Sequence, residues 1–122
     1  ALAAPDIAVP GALDDLRPLY ASAALVVAPV FWGSGVRVKL LEALASAAPV
    51  VSTRLAAEGL GLSGESALFA ETPSAFAAAI LRLLDDPALR ARLGTAGRSV
   101  VERGHDWAQI GRRLAGLYHG LA

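Results

Sequence analysis

Short apolar runs alternate along the chain with segments in which apolar residues recur every three or four positions. The runs predict short strands and the wider spacing predicts amphipathic helices. The predicted strands are Ile7–Val9, Leu25–Ala28, Val50–Ser52 and Ala67–Phe69. The predicted helices are Leu13–Ala21, Val36–Ser46, Pro73–Leu84, a fourth that Pro87 opens, and Trp107–Leu121. Because alternating strands and helices form a parallel sheet with helices on its faces, the expected fold class is α/β.

Capping signals mark several of the predicted helix ends. Thr72 followed by Pro73 is typical of a helix start, because the hydroxyl caps the first turn and proline fits the first helical position. Helix ends also account for the aspartates Asp14, Asp15, Asp85, Asp86 and Asp106. Inside the fourth helix, Gly94 and Gly97 are expected to produce a kink.

A glycine turn separates the second predicted strand from the second predicted helix. Gly33-Ser34-Gly35 allows a sharp turn in which no Cβ blocks an approaching group. A helix that begins near Val36 would aim its free backbone N–H groups and its positive dipole end at this turn. Such a place binds anions, above all phosphates, so Gly33, Ser34, Gly35 and Val36 are candidate binding residues. The competing interpretation is a tight turn that needs glycine only for packing.

Glu42 is the second candidate, about two turns into the same helix. Its carboxylate would not meet a phosphate at the first turn, but it could accept both hydrogens of a ribose diol. The competing interpretation is an exposed Glu42 paired with Lys39, which would contribute only a few tenths of a kcal/mol. The residue pattern leaves both interpretations open.

Other charged residues near the turn are weaker candidates. Arg37 and Lys39 oppose the sign that the helix dipole prefers, which makes sense beside an anion, although solvated surface charges are equally compatible. Ligands of an open parallel sheet lie in the crevice beyond the carboxyl ends of its strands. Glu58 lies in a glycine-punctuated loop that points at this crevice, where it would either bind a ligand or cap the loop. The histidines are disfavoured as catalytic bases, because His105 precedes the last helix and His119 sits at its end.

The amino-acid composition argues against several classes of protein. Hydrophobic residues make up 55% of the 122 residues, and the mean hydropathy is +0.51, yet much of this is alanine. The longest apolar run, Ala23–Trp32, is far shorter than the ~18 residues that a membrane span needs. Net charge is zero and the isoelectric point is about 7.0, so no basic field favours a nucleic-acid partner. The chain contains no cysteine, which excludes thiol catalysis and cysteine-based metal sites and is compatible with a cytoplasmic location.

Taken in order, six segments resemble the C-terminal domain of the family four retaining glycosyltransferases with the GT-B fold. These segments are Leu19–Ala23, Val27–Pro29, Gly33–Gly35, Lys39–Ala45, Pro49–Thr53 and Glu58–Leu60. The stretch from Arg90 to Trp107 is similar to the family's ending before its last helix. The resemblance implies a Rossmann-like parallel sheet with flanking helices, and it makes residues 1–122 part of a donor-binding domain.

The resemblance also implies roles for the candidate residues. Gly33, Ser34, Gly35 and Val36 would face the diphosphate and sugar of a nucleotide-sugar donor, while Glu42 would hold the ribose. Glu42 matches the second glutamate of the family's Glu-x7-Glu pattern, and Ser34 replaces the first. The Ser34 hydroxyl or backbone amides would then take over its contacts to the sugar. No protein residue is assigned a catalytic role, because in this family the donor phosphate is thought to deprotonate the acceptor, and no metal or cofactor is expected.

By the same resemblance, the chain is expected to be a fragment that lacks the N-terminal acceptor domain and the family's phosphate-neutralising Arg/Lys pair. We therefore expect millimolar or weaker nucleotide binding and no turnover by this chain alone. Dimerisation through a truncated sheet edge is a further expectation. The whole protein is expected in the cytoplasm, with a peripheral position at the inner membrane face as a second option.

Two rival interpretations stay open. The chain could be a non-catalytic α/β association module in which the glycine turn is merely structural. It could also belong to another GT-B enzyme, such as a sugar-nucleotide epimerase or a phosphorylase-like enzyme. The segments Lys39–Ala45 and Pro49–Thr53 fit family four better than this second rival.

Overall fold

A computed structural model describes residues 4–35 and 37–121. Its helices are α1 (Arg17–Ser22), α2 (Val38–Ala45), α3 (Pro73–Asp85), α4 (Pro87–Gly104) and α5 (Trp107–Gly120), and its strands are β1 (Val26–Ala28), β2 (Val50–Ser52) and β3 (Leu68–Phe69). The predicted α/β class is therefore confirmed. None of the helices within these ranges is both long enough and apolar enough to cross a membrane.

The strands form one parallel sheet in the order β1-β2-β3. Val26 pairs with Val50, and Val51 pairs with Leu68, so β2 lies in the centre. All three residues of β2 are buried, which is what a continuous apolar run in a parallel sheet predicts. Because the strands are parallel, their carboxyl ends meet at one edge of the sheet.

The predicted strand at Ile7–Val9 is wrong. Ile7 makes an isolated antiparallel bridge to Ala4, and Ile7 and Val9 are 53% and 61% exposed. A strand is stabilised by a neighbour that pairs with its backbone, and no described strand lies beside this run. A short apolar run is therefore not sufficient to predict a strand.

Helix α1 is shorter than predicted, since it begins at Arg17 and not near Leu13. Proline at position 18 fits only the first turn of a helix, because it lacks the backbone N–H that later turns require. Asp15 therefore precedes the helix, where it accepts hydrogen bonds from the backbone and the guanidinium of Arg17 at 2.9 Å. These bonds hold the pKa of the Asp15 carboxyl below its ordinary value.

The hydrophobic core lies on both faces of the sheet. Val50 packs with Leu40 and Leu44 of α2, whereas the next residue, Val51, packs with Phe76 and Leu83 of α3. This alternation follows from the two-residue period of a strand. The sheet thus has α2 on one face and α3 on the other, and α4 packs against both of these helices.

Two glycines allow α4 to approach α2 closely. A Cβ on Gly94 would collide with the backbone carbonyl of Ala47, and a Cβ on Gly97 would lie 2.7 Å from a methyl group of Leu44. Ala47 itself has a left-handed φ of 58° where the chain leaves α2. The sequence predicted a kink at these two glycines. The structure shows that the absence of a Cβ at both positions lets α4 pack closely against α2.

The predicted caps of two helices are confirmed. The Thr72 hydroxyl accepts a hydrogen bond from the N–H of Ala75, and the Asp86 carboxylate accepts one from Leu89. Asp106 precedes α5 as predicted, but its side chain accepts no hydrogen bond from that helix. Asp85 is the last residue of α3.

Candidate functional site

The glycine turn lies between the end of β1 and the start of α2, at the carboxyl edge of the sheet. Gly33 and Gly35 have φ values of 108° and 97°. L side chains rarely adopt this backbone region, so both positions favour glycine for conformational reasons. Val36 was predicted to begin the helix but lies outside the described residues, and α2 begins at Val38.

Two contacts fix the chain just before this turn. The Thr53 hydroxyl, at the end of β2, donates to the backbone oxygen of Val30 and accepts from the N–H of Ala56. The ring of Phe31 meets that of Phe76 edge-on, with 6.2 Å between the ring centroids. The loops that follow β1 and β2 are therefore tied to one another, and the loop after β1 is also tied to α3.

The glycine turn forms one wall of a cleft of about 300 Å³. The opposite wall comes from the loop after β2. The lining residues are Gly33, Ser34, Gly35, Arg37, Leu55, Glu58, Gly59, Leu60 and His105. We call this the glycine-turn cleft. It brings together five of the residues that the sequence singled out as candidates, and it adds His105, which had been disfavoured.

Arg37 supplies positive charge to the glycine-turn cleft. Its Nη1 donates to the backbone oxygen of Ser34 at 3.2 Å, which holds the guanidinium against the turn. Its Nε is buried and has no hydrogen-bond partner among the residues that the structure describes. Arg37 also stands at the N-cap of α2, where its side chain makes no capping hydrogen bond to the first turn in the described structure. An unpaired guanidinium donor beside an uncapped helix start favours a ligand that carries negative charge.

Glu42 lies outside the glycine-turn cleft. Its exposed carboxylate lines a second cleft of about 650 Å³, whose other walls come from α1 and the segment before it. The lining residues are Leu13, Asp14, Asp15, Leu16, Arg17, Tyr20, Glu42, Ala45 and Ser46. We call this the Glu42 cleft. The two clefts share no lining residue, and Lys39 lines neither of them.

Tyr20 orients the Glu42 carboxylate. Its hydroxyl lies 3.4 Å from Glu42 Oε2 and 3.3 Å from the backbone oxygen of Lys39. Burial raises the pKa of the Tyr20 phenol, and the charge of Glu42 raises it further, so the phenol remains a neutral donor at physiological pH. The Lys39–Glu42 ion pair of the competing interpretation is not among the ion pairs of the described residues.

His105 comes from the far end of α4. Its Nε2 lies 3.1 Å from the backbone oxygen of Leu60, in the loop that carries Glu58. Its position before the last helix does not indicate this contact, because sequence alone does not show that α4 returns to the sheet edge. Within the described ranges, no group of three or more His, Cys, Asp or Glu side chains is placed to hold a metal ion.

The chain was compared with known families and structures. A family model described as glycosyl transferases group 1 matches residues 1–86. Among solved structures, the chain is similar to a sucrose-phosphate synthase from Thermosynechococcus elongatus, with 28% sequence identity and a TM-score of 0.74. That match covers 87% of this chain but only 27% of the synthase. A comparison with curated proteins finds no match.

Proposed function

The chain belongs to the group 1 glycosyl transferases, and from this premise we propose that it binds the nucleoside-diphosphate sugar from which the enzyme transfers a sugar. Its fold is the α/β arrangement of a GT-B glycosyltransferase. The proposed reaction moves the sugar to an acceptor hydroxyl with retention of configuration. The observation that carries the proposal is the glycine-turn cleft, which joins Gly33–Gly35, Arg37 and Glu58 at the carboxyl edge of the sheet. Open α/β sheets bind ligands at this edge.

The diphosphate is proposed to lie in the glycine-turn cleft. The left-handed glycines keep the turn free of Cβ atoms, so backbone can approach phosphate oxygens closely. Arg37 Nε lacks a partner in the described structure, and a phosphate oxygen would satisfy it with a charge-assisted hydrogen bond. Ser34 adds a hydroxyl at the position of the family's missing glutamate, and Glu58 adds a carboxylate that can accept from sugar hydroxyls.

The ribose is proposed to lie at Glu42. A carboxylate offers about four acceptor positions, so Glu42 can retain the hydrogen bond from Tyr20 and still accept from two ribose hydroxyls. Glu42 lies four residues beyond the start of α2, which corresponds to about 6 Å along the helix axis. A single extended donor would therefore run along the first turn of α2 from one cleft to the other.

Retention is proposed without a protein nucleophile. A phosphate oxygen of the departing diphosphate would take the proton of the acceptor hydroxyl on the face from which the diphosphate leaves. In that scheme Arg37 and the N-terminal end of α2 stabilise the negative charge that grows on the diphosphate as its bond to the sugar breaks. The acceptor itself would bind outside the described clefts.

Nucleotide titration tests this proposal. Hydrogen bonds to charged groups contribute roughly 1.5–3 kcal/mol, and a helix terminus contributes up to ~2 kcal/mol. Millimolar binding corresponds to about −4.1 kcal/mol, so we expect UDP, GDP or ADP to bind with a dissociation constant near or above 1 mM. Protein-observed NMR measures affinities in this range.

Glu42→Ala is expected to weaken nucleotide binding by about tenfold or more, because it removes the charged acceptor of the ribose hydroxyls. Glu102→Ala is the matched control, since Glu102 is also an exposed helical glutamate and pairs with Arg98 on α4. Micromolar binding by the unaltered chain would show that the contacts are underestimated. Unchanged binding in the Glu42 variant would remove Glu42 from the site.

A second candidate function, association without catalysis, is favoured by one observation. The aromatic side chains of Trp32 and Trp107 are 82% and 83% exposed, and α5 exposes Leu117 and Tyr118. Burial of such surfaces is what drives protein association. Sedimentation velocity over a range of concentrations would reveal a dimer, and a dimer that binds no nucleotide would favour this second function.

A further inference from the structure

The side chain of His105 makes a contact that its place at the end of α4 does not require. The last carbonyls of α4 accept hydrogen bonds from Arg113, at 3.1 Å for Arg103 and 3.5 Å for Gly104. The backbone N–H of His105 continues the helical pattern by donating to Val101. The imidazole is therefore free to serve another part of the molecule, and its Nε2 lies 3.1 Å from the oxygen of Leu60.

The partner of His105 defines its tautomer. A backbone carbonyl can only accept, so Nε2 must carry the hydrogen. The neutral Nε2–H tautomer and the imidazolium both meet this requirement. The hydrogen bond therefore persists whether or not the ring is protonated.

The backbone of the loop after β2 is intrinsically flexible around Leu60. Leu60 is flanked by Gly59 and Gly61, whose φ values are 78° and 75°. Because glycine loses more conformational freedom on folding than other residues, this segment is costly to order. Three contacts hold it: the Leu60 side chain is 4% exposed, its N–H donates to Ala57, and its oxygen accepts from His105.

The same segment forms a wall of the glycine-turn cleft. Glu58, Gly59 and Leu60 line the cleft opposite Gly33–Gly35, and His105 lines it beside them. On its other side, His105 borders a shallower hollow of about 360 Å³ that contains Arg103 and Arg113. His105 therefore lies between the cleft and this hollow, and it joins the wall that carries Glu58 to α4.

We propose that His105 is a positioning residue for the donor site: its Nε2–H holds the oxygen of Leu60 and thereby fixes Glu58 and Gly59 against the glycine turn. This role rests on the proposed function of the cleft. It assigns a binding-site contribution to a residue 45 positions away in sequence from its partner and beyond residues 1–86, which the family model covers.

Three variants separate the hydrogen bond from other effects of the ring. His105→Leu removes the donor, and His105→Gln places an amide N–H at a similar reach. His119→Leu is the control, since His119 is an exposed histidine near the end of α5. We expect His105→Leu to speed hydrogen exchange at the Leu60 amide and to weaken nucleotide binding, each by about fivefold, which is the effect of one ordinary hydrogen bond. His105→Gln should restore both properties towards their original values.

The tautomer of His105 gives a test that needs no variant. Long-range proton–nitrogen NMR of the unaltered chain should show the hydrogen of neutral His105 on Nε2, and a hydrogen on Nδ1 would overturn the proposal even if a variant failed to fold. Unchanged Leu60 exchange in His105→Leu, or no recovery in His105→Gln, would also overturn it. Absence of nucleotide binding by the unaltered chain would instead overturn the proposed function, since the tautomer and exchange measurements do not depend on a ligand.

Discussion

The first backbone N–H groups of a helix have no acceptor within the helix, and α2 and α3 differ in what their own chain offers these groups. At α3 the chain satisfies its own first turn, because the Thr72 hydroxyl accepts from Ala75 and Pro73 has no N–H to satisfy. At α2 the N-cap residue is the cation Arg37, whose side chain makes no capping hydrogen bond to the first turn in the described structure. A helix start that its own chain completes is structural, whereas one that is left open suits a ligand.

An uncapped start alone does not make a site. Helix α5 also lacks a side-chain cap. What distinguishes α2 is the combination of the glycine turn in front of it, the unpaired Nε of Arg37 and a cleft that both of them line. The comparison therefore predicts that substitutions at α3 change stability without changing ligand affinity, and that substitutions at α2 do the opposite.

The largest expected effect is a loss of stability when the packing of α3 against the sheet is disrupted. Leu83 of α3 is fully buried, so Leu83→Ala should lower the free energy of unfolding by about 2–5 kcal/mol. Urea denaturation followed by circular dichroism measures the change. Leu81→Ala, on the exposed side of the same helix, is the control and should stay within about 0.5 kcal/mol. Equal losses in the two variants would contradict the packing described for α3.

The next largest effect should appear in binding and not in stability. Arg37→Gln removes the guanidinium, so nucleotide affinity should fall by about tenfold or more. The free energy of unfolding should change by no more than about 0.5 kcal/mol, because Nε has no partner to lose among the described residues and the hydrogen bond that Nη1 loses to Ser34 is exposed to solvent. A large loss of stability with unchanged affinity would show that Arg37 is structural.

Removal of the α3 cap should have the reverse effect, a change in stability and not in binding. Thr72→Ala should cost about 1 kcal/mol of stability, since the N–H of Ala75 loses its acceptor. Nucleotide affinity, measured where the variant is fully folded, should not change. Thr72→Ser keeps the hydroxyl and should recover most of the loss. A weaker nucleotide affinity in Thr72→Ala would break the distinction between the two helix starts.

The smallest expected effect is a change in the pKa of Tyr20, which tests whether its hydroxyl lies beside Glu42 of α2. Burial and the charge of Glu42 raise the pKa of Tyr20, so the stability gained from its neutral phenol is fully present below about pH 10 and is lost as the pH rises through the folded pKa. In a Tyr118→Phe background, where Tyr20 is the remaining tyrosine, Glu42→Gln should lower the midpoint of phenolate formation. An unchanged midpoint would mean that Glu42 does not lie beside Tyr20 in solution.

Local signals predicted much of this structure. Strand β2 and the starts of α3 and α4 were predicted correctly because a buried apolar run, a Thr-Pro pair and an Asp-Pro pair carry their information in adjacent residues. The glycine turn was located for the same reason. The strand predicted at Ile7–Val9 was wrong because a strand also needs a neighbour, and three adjacent residues do not reveal one.

The long-range part of the site could not be predicted. Tyr20 is 22 residues from Glu42, Thr53 is 23 residues from Val30, and His105 is 45 residues from Leu60. Each of these pairs depends on how helices and loops pack in three dimensions. Glu42 and Gly33–Gly35 line two different clefts because of the direction in which α2 runs. The sequence predicted where α2 lies along the chain, but not how the helix is oriented in the fold.

A backbone amide NMR titration with UDP, GDP and ADP shows directly whether the open start of α2 binds the donor, with inorganic pyrophosphate as the probe for the diphosphate alone. We expect pyrophosphate to shift the amides of Gly33, Ser34, Gly35 and Val38, and a nucleotide to shift these and the amide of Glu42 as well. The amides of Ser74 and Ala75 at the capped start of α3 should stay unchanged. Shifts centred on α3, or nucleotide shifts that leave Gly33–Gly35 unaffected, would show that the diphosphate does not bind at the glycine turn.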